Sequence, residues 1–551
     1  MKKMIFLLLL VATVFSAKSQ WINNPSVNTV LCNKVGSDYD PVAVSDGANG
    51  SILFFIDYAN EGIHAQRMTT TGMVAWGSSS NPVNVCVSAG EKFGVSAVAD
   101  GAGGAFVAWT DYRHNANFGE IYIQKISASG IAEWTANGLR VTNNILRDDL
   151  LPLLCLDAAG GVIVTWYGDD SVAQTIQSYA QRYNSIGAAQ WTANGVLVST
   201  AAGFRASSSI VPDGANGAFI FLLDTRNDPN GLNYNFIVNN NLVNSDIYGQ
   251  RLNAVGSRQW TNEGAAIITA PGNQNHNLEG SAIPDGSGNV ILVFDDGRND
   301  GGSFTNVDVF AQKVNSNGVP QWTANGIAVC TAAENQFVND IVSDGAAGVI
   351  VSISYENVSR CYAQRITSAG AVAWTVDGVP VSEVGEIVSG GALAIDGSGN
   401  SIFAYNSGNF NFVTAQKLNG AGLKQWGAGS IVCNNPAGTL EPVITASSAG
   451  SVIIAWSDFR NAALPAEIDI YASKVSPSGL LFGGGSSAFT TIASGNWNNP
   501  AIWLGGMVPP VAAVVVIRHN VIGNVNASCA TITIQAPGNL TVNNGISITT
   551  N

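Results

Sequence analysis

The sequence predicts an all-β fold built from eight repeats of roughly fifty residues. Three observations support this prediction. A tryptophan turn recurs along the chain, for example in the identical stretches Gln190–Gly195 and Gln321–Gly326. An Asp-Gly turn of the form DGxxG recurs at a regular spacing. The segments between these turns are about four to eight residues long and rich in Val, Ile, Phe and Tyr, which is typical of β-strands.

Each repeat contains four such segments. The first segment ends at the Asp-Gly turn, and the second has an alternating pattern that contains β-branched or aromatic residues. The third segment ends in Gln-Lys or Gln-Arg, and the fourth follows the tryptophan. Four antiparallel strands joined by tight turns and repeated around an axis are typical of a β-propeller blade. The Asp-Gly turns, with one worn copy at the end, begin at Asp46, Asp100, Asp157, Asp213, Asp285, Asp344, Asp396 and Ala446.

The two ends of the array are complementary. The stretch "QWINNPSVNTVLC", residues 20–32, has the pattern of a fourth strand without the first three. The last repeat has its first three strands but has lost the tryptophan that follows them. Pairing of residues 21–33 with the strand near residues 467–475 would remove both open edges. We therefore predict a closed eight-bladed β-propeller, with an open superhelix as the alternative.

We interpret the repeated side chains as structural. The tryptophan ring is expected to cover the gap between neighbouring sheets, and a sugar-stacking platform is the alternative. The seven cysteines are interpreted as small core residues rather than a disulfide framework. An Asp-x-Arg motif is interpreted as a local ion pair that closes the end of the second strand. It begins at Asp111, Asp224, Asp296 and Asp458.

Two stretches resemble known repeats. The stretch "DGAGGAFVAWTDYR…EIYIQKISASGIAEWTANG" (Asp100–Gly138) is similar to repeats of secreted or surface proteins of Bacteroidetes-type bacteria, which are associated with type IX secretion. The "DIY" strand followed by an "SxxG" turn resembles TolB-type propeller repeats. This resemblance covers residues 20–482 and implies a propeller fold and export.

Residues 1–19 have the features of a signal peptide: Lys2 and Lys3, then an apolar run, then Ala17 and Ser19 at the cleavage positions. We therefore expect a secreted, extracellular protein, with attachment to the cell surface left open.

The C-terminal part has a different pattern. Residues 483–494 form a Gly/Ser/Thr linker, and residues 495–551 resemble the opening of a G8-like module. Such modules form right-handed β-helical coils, so the resemblance implies a partial right-handed β-helix. The matching residues are Trp497, Trp503, Gly505, Gly506 and Pro509.

The chemistry-bearing residues form no recognisable catalytic motif. The four histidines lack metal-ligand spacing, and no phosphate loop, GxSxG or HExxH motif occurs. We therefore predict no catalytic residue, cofactor or metal ligand. A formal charge of −14 argues against a nucleic-acid partner. No run of the mature chain is apolar for long enough to predict a membrane helix.

Loop length varies on one face of the predicted propeller. The fourth repeat inserts Asn227–Ser245 and the fifth inserts Asn299–Asn306, both between the second and third strands. The longer loop carries Tyr234, Asn235 and Phe236, which we predict to bind ligand. Exposed aromatic rings are costly unless they pack or bind, and Asn both donates and accepts hydrogen bonds, as sugar hydroxyls require. Packing of these rings onto the propeller is the alternative.

These patterns favour an exported, monomeric, non-enzymatic binding or adhesion protein whose partner is a glycan or a surface protein. Two alternatives stay open. One is a fragment of a polysaccharide-acting enzyme whose catalytic part lies elsewhere, and the other is a purely structural stalk module.

Overall fold

The computed structural model describes residues 21–550 except 145, 229–243, 276–280, 300–305, 357–358, 462–466, 484–488, 492, 500–501, 504–507 and 510–512. The chain divides into two compact units, one spanning Ile22–Phe482 and one that contains Gly483–Asn551. The signal peptide predicted at residues 1–19 lies outside the described residues and stays a prediction. Across the described ranges, no helical segment has the length and hydropathy needed to cross a membrane.

The first unit consists of short strands and one 3₁₀ turn, Ser448–Gly450. Its strands are β1 (Thr29–Cys32), β2 (Asp38–Ser45), β3 (Ser51–Asp57), β4 (Gly62–Met68), β5 (Val83–Cys86), β6 (Lys92–Ala99), β7 (Ala105–Asp111), β8 (Glu120–Ile126), β9 (Leu139–Arg140), β10 (Asp148–Leu156), β11 (Val162–Asp170), β12 (Thr175–Tyr183), β13 (Val196–Leu197), β14 (Arg205–Pro212), β15 (Ala218–Asp224), β16 (Asp246–Leu252), β17 (Ala265–Ile268), β18 (Gln274–Asn275), β19 (Ala282–Pro284), β20 (Val290–Asp296), β21 (Asp308–Val314), β22 (Ile327–Cys330), β23 (Gln336–Ser343), β24 (Val349–Tyr355), β25 (Arg360–Ile366), β26 (Val379–Pro380), β27 (Ser389–Ile395), β28 (Ser401–Ser407), β29 (Phe412–Leu418), β30 (Ser430–Cys433), β31 (Thr439–Ala446), β32 (Val452–Asp458) and β33 (Asp469–Val475).

These strands form eight antiparallel sheets, and each sheet is one blade of a propeller. Blades 1 to 4 are β2–β5, β6–β9, β10–β13 and β14–β17. Blade 5 is β18–β22, in which β18 and β19 are two pieces of the innermost strand, and blades 6 and 7 are β23–β26 and β27–β30. Blade 8 is β31, β32, β33 and β1. The predicted all-β class and eight four-stranded blades are confirmed.

The ring is closed by the N-terminal strand. Strand β1 pairs antiparallel with β33, with Thr29 opposite Ala472. The side chain of Asn28 donates to the carbonyl of Val432 at 2.7 Å, and Leu31 is fully buried. The last blade therefore takes its fourth strand from the start of the chain, as predicted.

A buried glutamine in the third strand holds the tryptophan turn in seven blades. Gln312 is representative: its Oε1 accepts the backbone N–H of Trp322 at 3.0 Å, and its Nε2 donates to the carbonyl of Thr323 at 2.8 Å. One side chain thereby satisfies a donor and an acceptor of the turn. The pairs are Gln66–Trp76, Gln124–Trp134, Gln181–Trp191, Gln250–Trp260, Gln312–Trp322, Gln364–Trp374 and Gln416–Trp426.

The tryptophan ring packs against a glycine of the next blade. The Trp260 indole N–H donates to the carbonyl of Ser316 at 3.0 Å. A Cβ added at Gly318 would lie 2.7 Å from the Trp260 ring, and Gly318 has a φ of +78°. Both the contact and the backbone conformation therefore require glycine. The predicted role of the repeated tryptophan, covering the gap between blades, is confirmed.

The aspartate of the DGxxG turn is bound within its own blade. Asp213 Oδ1 accepts the N–H groups of Ala215 and Gly217 at 2.7 Å, and Oδ2 pairs with Arg251 at 3.0 Å. Because the basic residue follows the buried glutamine, one strand segment holds both turns of the blade. The same ion pair joins Asp46–Arg67, Asp157–Arg182, Asp285–Lys313, Asp344–Arg365 and Asp396–Lys417.

The second unit has parallel strands. Its core contains the buried rings of Trp497 and Trp503, whose centroids lie 5.1 Å apart. Strands β34, β36, β38 and β40 form one parallel sheet, and β35, β37 and β39 form another. A right-handed β-helix and a G8-like module stay predictions for this part of the chain. The strands are β34 (Phe489–Thr490), β35 (Gly495–Asn496), β36 (Ala513–Ile517), β37 (Asn520–Gly523), β38 (Ala527–Ile534), β39 (Asn539–Val542) and β40 (Ile548–Thr550).

Candidate functional site

The predicted ligand-binding residues Tyr234, Asn235 and Phe236 lie outside the described residues, within 229–243. The flanking residues place their loop between the second and third strands of blade 4. We call the face that carries these connections in all blades, together with the crossings between blades, the loop face.

Four blades close the loop face with the predicted Asp-x-Arg ion pair. The Nε and Nη2 of each arginine donate to the aspartate two residues earlier at 2.5–2.9 Å. Such a two-bonded geometry is strong and directional. The interpretation as a local ion pair is confirmed, and we call the arrangement the Asp-Arg clasp. The clasps are Asp111–Arg113, Asp224–Arg226, Asp296–Arg298 and Asp458–Arg460.

The clasp ties together three parts of its surroundings. The guanidinium lies over an aromatic ring of the third strand, as Arg298 does over Phe310 at 3.8 Å. It also donates to the carbonyl of Asn325, in the turn before the fourth strand, at 2.7 Å. In blades 2 and 8 it further contacts a buried cysteine of the preceding blade, such as Cys86 beside Arg113. All seven cysteines are buried, which confirms their assignment to the core.

Blades 1 and 3 close the same end with other residues. In blade 3 Arg147 pairs with Asp149 at 2.6 Å and covers the ring of Tyr179. In blade 1 Lys34 pairs with the buried Asp57 at 2.6 Å. Six of the eight blades thus place a basic group against an aspartate at this end of the sheet, although the aspartate of blade 3 lies in the innermost strand.

Blades 6 and 7 replace the clasp aspartate by uncharged residues. Tyr355 stands at this position in blade 6, and its hydroxyl donates to the carbonyl of Asp377 at 2.8 Å. Ser407 stands there in blade 7 and shares a hydrogen bond of 2.7 Å with Thr414. The repeat symmetry of the loop face is therefore broken in two adjacent blades.

A cavity of about 400 Å³ opens where the symmetry is broken, between blades 6 and 7. Its blade 6 side includes Phe337, Asn339 and Tyr355, and its blade 7 side includes Ser389 and Phe410. We call it the blade 6–7 pocket. Its volume falls within the range of roughly 300–1,000 Å³ that is usual for small-molecule sites.

An irregular loop places Phe410 at this pocket. Gly408, Asn409 and Phe410 have consecutive φ values of +59°, +57° and +66°. A left-handed conformation costs an ordinary residue about 1 kcal/mol or more, and it is rare for an aromatic one. The N–H of Thr439 in blade 8 holds the loop by donating to the carbonyl of Phe410 at 2.7 Å. Phe410 nevertheless remains 39% exposed, so the strain is not explained by burial of its ring.

The polar groups of the pocket are amides, hydroxyls and one carboxylate. Asn339, Ser389 and Asn409 contribute the first two kinds, and Glu356 is the only acidic residue among the described residues of the lining. Glu356 Oε2 accepts from the side chain of Asn335 at 2.8 Å. Aromatic faces beside neutral donors and acceptors suit a ligand with both apolar faces and hydroxyls.

A second cavity, of about 260 Å³, is lined by the innermost strands of blades 1 to 4. Val42, Leu151, Pro152 and Ile210 make this lining largely apolar. Because it has few groups that would orient a polar ligand, we regard the blade 6–7 pocket as the candidate site.

Two buried carboxyls support the innermost strands beside this pocket. Asp295 of blade 5 accepts the N–H of Val338 at 2.8 Å, between Phe337 and Asn339. Asp340 of blade 6 accepts the N–H of Leu393 in blade 7 at 2.7 Å. Burial raises the pKa of Asp295 to about 8 and that of Asp340 to about 7. Both carboxyls are therefore protonated in mildly acidic solution.

These raised pKa values predict how stability depends on pH. The folded chain keeps protons on these carboxyls that the unfolded chain releases near the ordinary pKa of 3.8. Their contribution to stability is complete below that value and is lost as pH rises toward about 8. Each group lowers the unfolding free energy by up to about 1.4 kcal/mol per pH unit in this window. The Asp295→Asn variant keeps the acceptor for Val338 but cannot ionise, so urea unfolding should show a smaller fall in stability between pH 5 and pH 9.

Asp285→Asn is the control. Burial raises the pKa of Asp285, but hydrogen bonds from Lys313 and Asn289 outweigh burial and lower it to about 2. This carboxylate contributes stability above the unfolded pKa and loses it only as pH falls, so its removal should leave the slope above pH 5 unchanged. Equal slopes for Asp295→Asn and the parent chain would contradict the assignment.

No three His, Cys, Asp or Glu side chains in the described part of the chain are grouped so that they could hold a metal ion. The strand pairing of the first unit defines the chain as an eight-bladed β-propeller protein. No family model and no curated protein matches it.

Solved structures show a distant likeness. A protein of unknown function from Dyadobacter fermentans is 9% identical with a TM-score of 0.36, over 70% of this chain and 94% of that chain. An oligogalacturonate lyase in complex with manganese is 10% identical with a TM-score of 0.36, over 70% and 97%. Oligopeptidase B from Leishmania major is 10% identical with a TM-score of 0.40, over 85% and 56%. At these values the likenesses give no indication of activity.

Sequence reasoning selected the loop face but missed the pocket. Part of the signal was an absence: the Asp-x-Arg motif is missing after the second strands of the adjacent blades 6 and 7, although it is also missing in blades 1 and 3. The stretch "NSGNFNF" at residues 406–412 also differs from every other second-to-third connection. The sequence did not indicate that the missing motif and the altered connection at residues 406–412 lie side by side, or that a cavity opens between them.

Proposed function

We propose that this chain is an exported, non-enzymatic binding protein of the cell surface whose propeller holds a carbohydrate in the blade 6–7 pocket. One observation carries the proposal. The pocket occurs where two adjacent blades lack the charged closure of the other six, and a strained loop holds the partly exposed ring of Phe410 against it. Strain and broken symmetry that the fold does not need are typical of functional sites.

The chemistry of the lining supports a sugar. The apolar face of a sugar ring packs on aromatic rings, which Phe337 and Phe410 supply. Sugar hydroxyls need partners that both donate and accept, which the amides of Asn339 and Asn409 supply. Export is supported by the signal-like residues 1–19, and the predicted loop residues Tyr234, Asn235 and Phe236 remain candidates for further contacts on the same face.

A polysaccharide-acting enzyme and a structural stalk are the alternatives. Glycoside hydrolysis commonly uses two carboxyl groups in one cleft, whereas the part of this lining that the structure describes has one carboxyl group, that of Glu356. This composition favours binding over turnover. A stalk would bind no ligand, so a positive titration excludes it.

The test is calorimetric titration of the purified chain with a panel of mono- and oligosaccharides, followed by two pocket variants. Phe410→Ala and Phe337→Ala each remove one aromatic face. We expect each to weaken binding of the best ligand by about tenfold, which corresponds to about 1.4 kcal/mol.

Phe93→Ala is the matched control. Phe93 is the second residue of the innermost strand of blade 2, as Phe337 is in blade 6, but it lies outside the pocket. It should leave the affinity within about twofold of the parent value. A panel without any binder, or equal losses in all three variants, would overturn the proposal, and turnover of a bound glycan would favour the enzyme.

A further inference from the structure

A row of aromatic rings crosses the loop face of blades 8 and 1. Phe459 follows the second strand of blade 8, and Tyr39 lies in the innermost strand of blade 1. Their ring centroids are 6.2 Å apart, and Tyr58 lies 5.6 Å beyond Tyr39. The ring planes of both pairs meet at 71°, so the rings contact edge to face rather than in a parallel stack. We call Phe459, Tyr39 and Tyr58 the aromatic track.

The aromatic track begins next to the blade 6–7 pocket. Gly438 lies between them: a Cβ added there would be 3.6 Å from the Phe459 ring and 4.0 Å from the carbonyl of Phe410. Its φ of +112° is a conformation that favours glycine. Gly438 therefore places no side chain between Phe410 and Phe459.

Two acidic residues accompany the aromatic track. The backbone N–H of Asp40 donates to Glu441 Oε2 at 3.1 Å, and the hydroxyl of Tyr58 donates to Asp40 Oδ2 at 2.7 Å. Burial, then the charges of Glu441 and Asp40, raise the pKa of Tyr39. Both negative groups therefore act on the central ring of the track.

The fold does not require acidic residues at these positions. Asp40 and Glu441 occupy the bulge of the innermost strand with φ values of +51° and +52°. In blades 2 and 7 the same bulge is formed by Gly94 and Gly390, which adopt positive φ without a side-chain penalty. Two like charges placed together at strained positions reduce stability, so a role in binding is the physical reason to keep them.

The basic groups of this region have other partners. Lys34 pairs with Asp57 at 2.6 Å, and Arg460 pairs with Asp458 at 2.7 Å in the clasp of blade 8. Asp40 has no Lys or Arg partner within the described part of the chain. Asp40 therefore presents a negative charge beside the track, and a ligand complementary to that charge is positive.

We propose that the aromatic track extends the blade 6–7 pocket into an elongated surface for an oligosaccharide that carries protonated amino groups. The proposal rests on the carbohydrate binding proposed above and deepens it. One sugar unit occupies the pocket against Phe410, and the following units pass Gly438 onto Phe459 and Tyr39. An ammonium group over the Tyr39 and Tyr58 rings is attracted both by their faces and by Asp40 and Glu441.

The experiment compares 1,4-linked glucosamine oligomers of one to six units with their fully N-acetylated counterparts by calorimetry at low salt. The test variant is the double substitution Asp40→Asn with Glu441→Gln, which removes the charge and keeps the hydrogen-bonding shape. Asn also tolerates the positive φ. The control is Glu263→Gln, an exposed carboxylate in the turn that follows Trp260 of blade 4.

We expect affinity for glucosamine oligomers to rise with length and to exceed that for the acetylated series. The double variant should weaken it by about three- to tenfold, while Glu263→Gln should change it by less than about twofold. Tyr39→Ala should remove the dependence on length and leave the affinity for a single sugar unchanged.

The results separate this proposal from the one it rests on. A single sugar could bind, with Phe410→Ala weakening its binding, while the affinity depends on neither oligomer length nor amino groups. That result would contradict the proposal about the aromatic track but not the proposed pocket. If no sugar binds, both fail. Binding of a lysine oligopeptide that depends on Asp40 and Glu441, with no difference between the two sugar series, would also overturn the choice of an oligosaccharide.

Discussion

Deletion of residues 22–33 is expected to destabilise the propeller by about 5 kcal/mol. The deletion removes β1, including the fully buried side chains of Leu31 and Cys32, each worth about 1.5–3 kcal/mol by burial. It also removes the carbonyl of Val27, to which Arg460 donates at 2.6 Å. The edge of β33 is then open to pairing with other chains, so aggregation should accompany the loss of stability. Urea unfolding and sedimentation velocity measure the two effects.

Leu31→Ala and Asn33→Ala provide a graded comparison. Leu31→Ala should cost about 2–5 kcal/mol because its side chain is fully buried, and Asn33→Ala should be nearly neutral because Asn33 is exposed. A deletion variant that stays monomeric and unfolds at the same urea concentration as the parent chain would show that the ring does not depend on β1.

The architecture was accessible from sequence because the repeat supplies the same evidence many times. Gln312 and Trp322 alone would be weak indicators, but a Gln and a Trp ten residues apart in seven blades leave few alternatives. Closure of the ring was predicted because the chain starts with an isolated fourth strand and the last repeat has only its first three strands. Strand lengths were less accessible: the fourth strand is only two residues long in blades 2, 3 and 6, although the backbone N–H groups of Val141, Val198 and Val381 still donate to the third strand.

The site was less accessible for a physical reason. The repeat pattern predicts the features that the blades share, whereas this pocket lies where blades 6 and 7 lack the charged closure of the other blades. Phe410 reaches the pocket through three consecutive left-handed residues, and only the first of them is a glycine that signals such a conformation. The aromatic track joins residues about 400 positions apart in the chain, Tyr39 and Phe459, which become neighbours only through ring closure.

Restoring the missing clasp of blade 7 is expected to weaken ligand binding by at least about tenfold. The triplet Ser407-Gly408-Asn409 occupies the position of Asp296-Gly297-Arg298 in blade 5, so Ser407→Asp with Asn409→Arg recreates that motif. In blade 5 the N–H of Arg298 donates to Asp296 Oδ1 at 2.8 Å. The same bond in blade 7 would draw the loop out of its left-handed conformation, and Phe410 would leave the pocket. Relief of strain together with a new ion pair should leave the propeller at least as stable as before.

The most direct test of the link between the missing clasp and binding is a calorimetric titration of this double variant with the saccharide that the parent chain binds most tightly. We predict that the affinity falls by at least about tenfold while the thermal midpoint stays equal or rises. Ser407→Ala, which introduces no clasp, should retain the parent affinity. A folded double variant that binds the saccharide as tightly as the parent chain would contradict the assignment of the blade 6–7 pocket as the binding site.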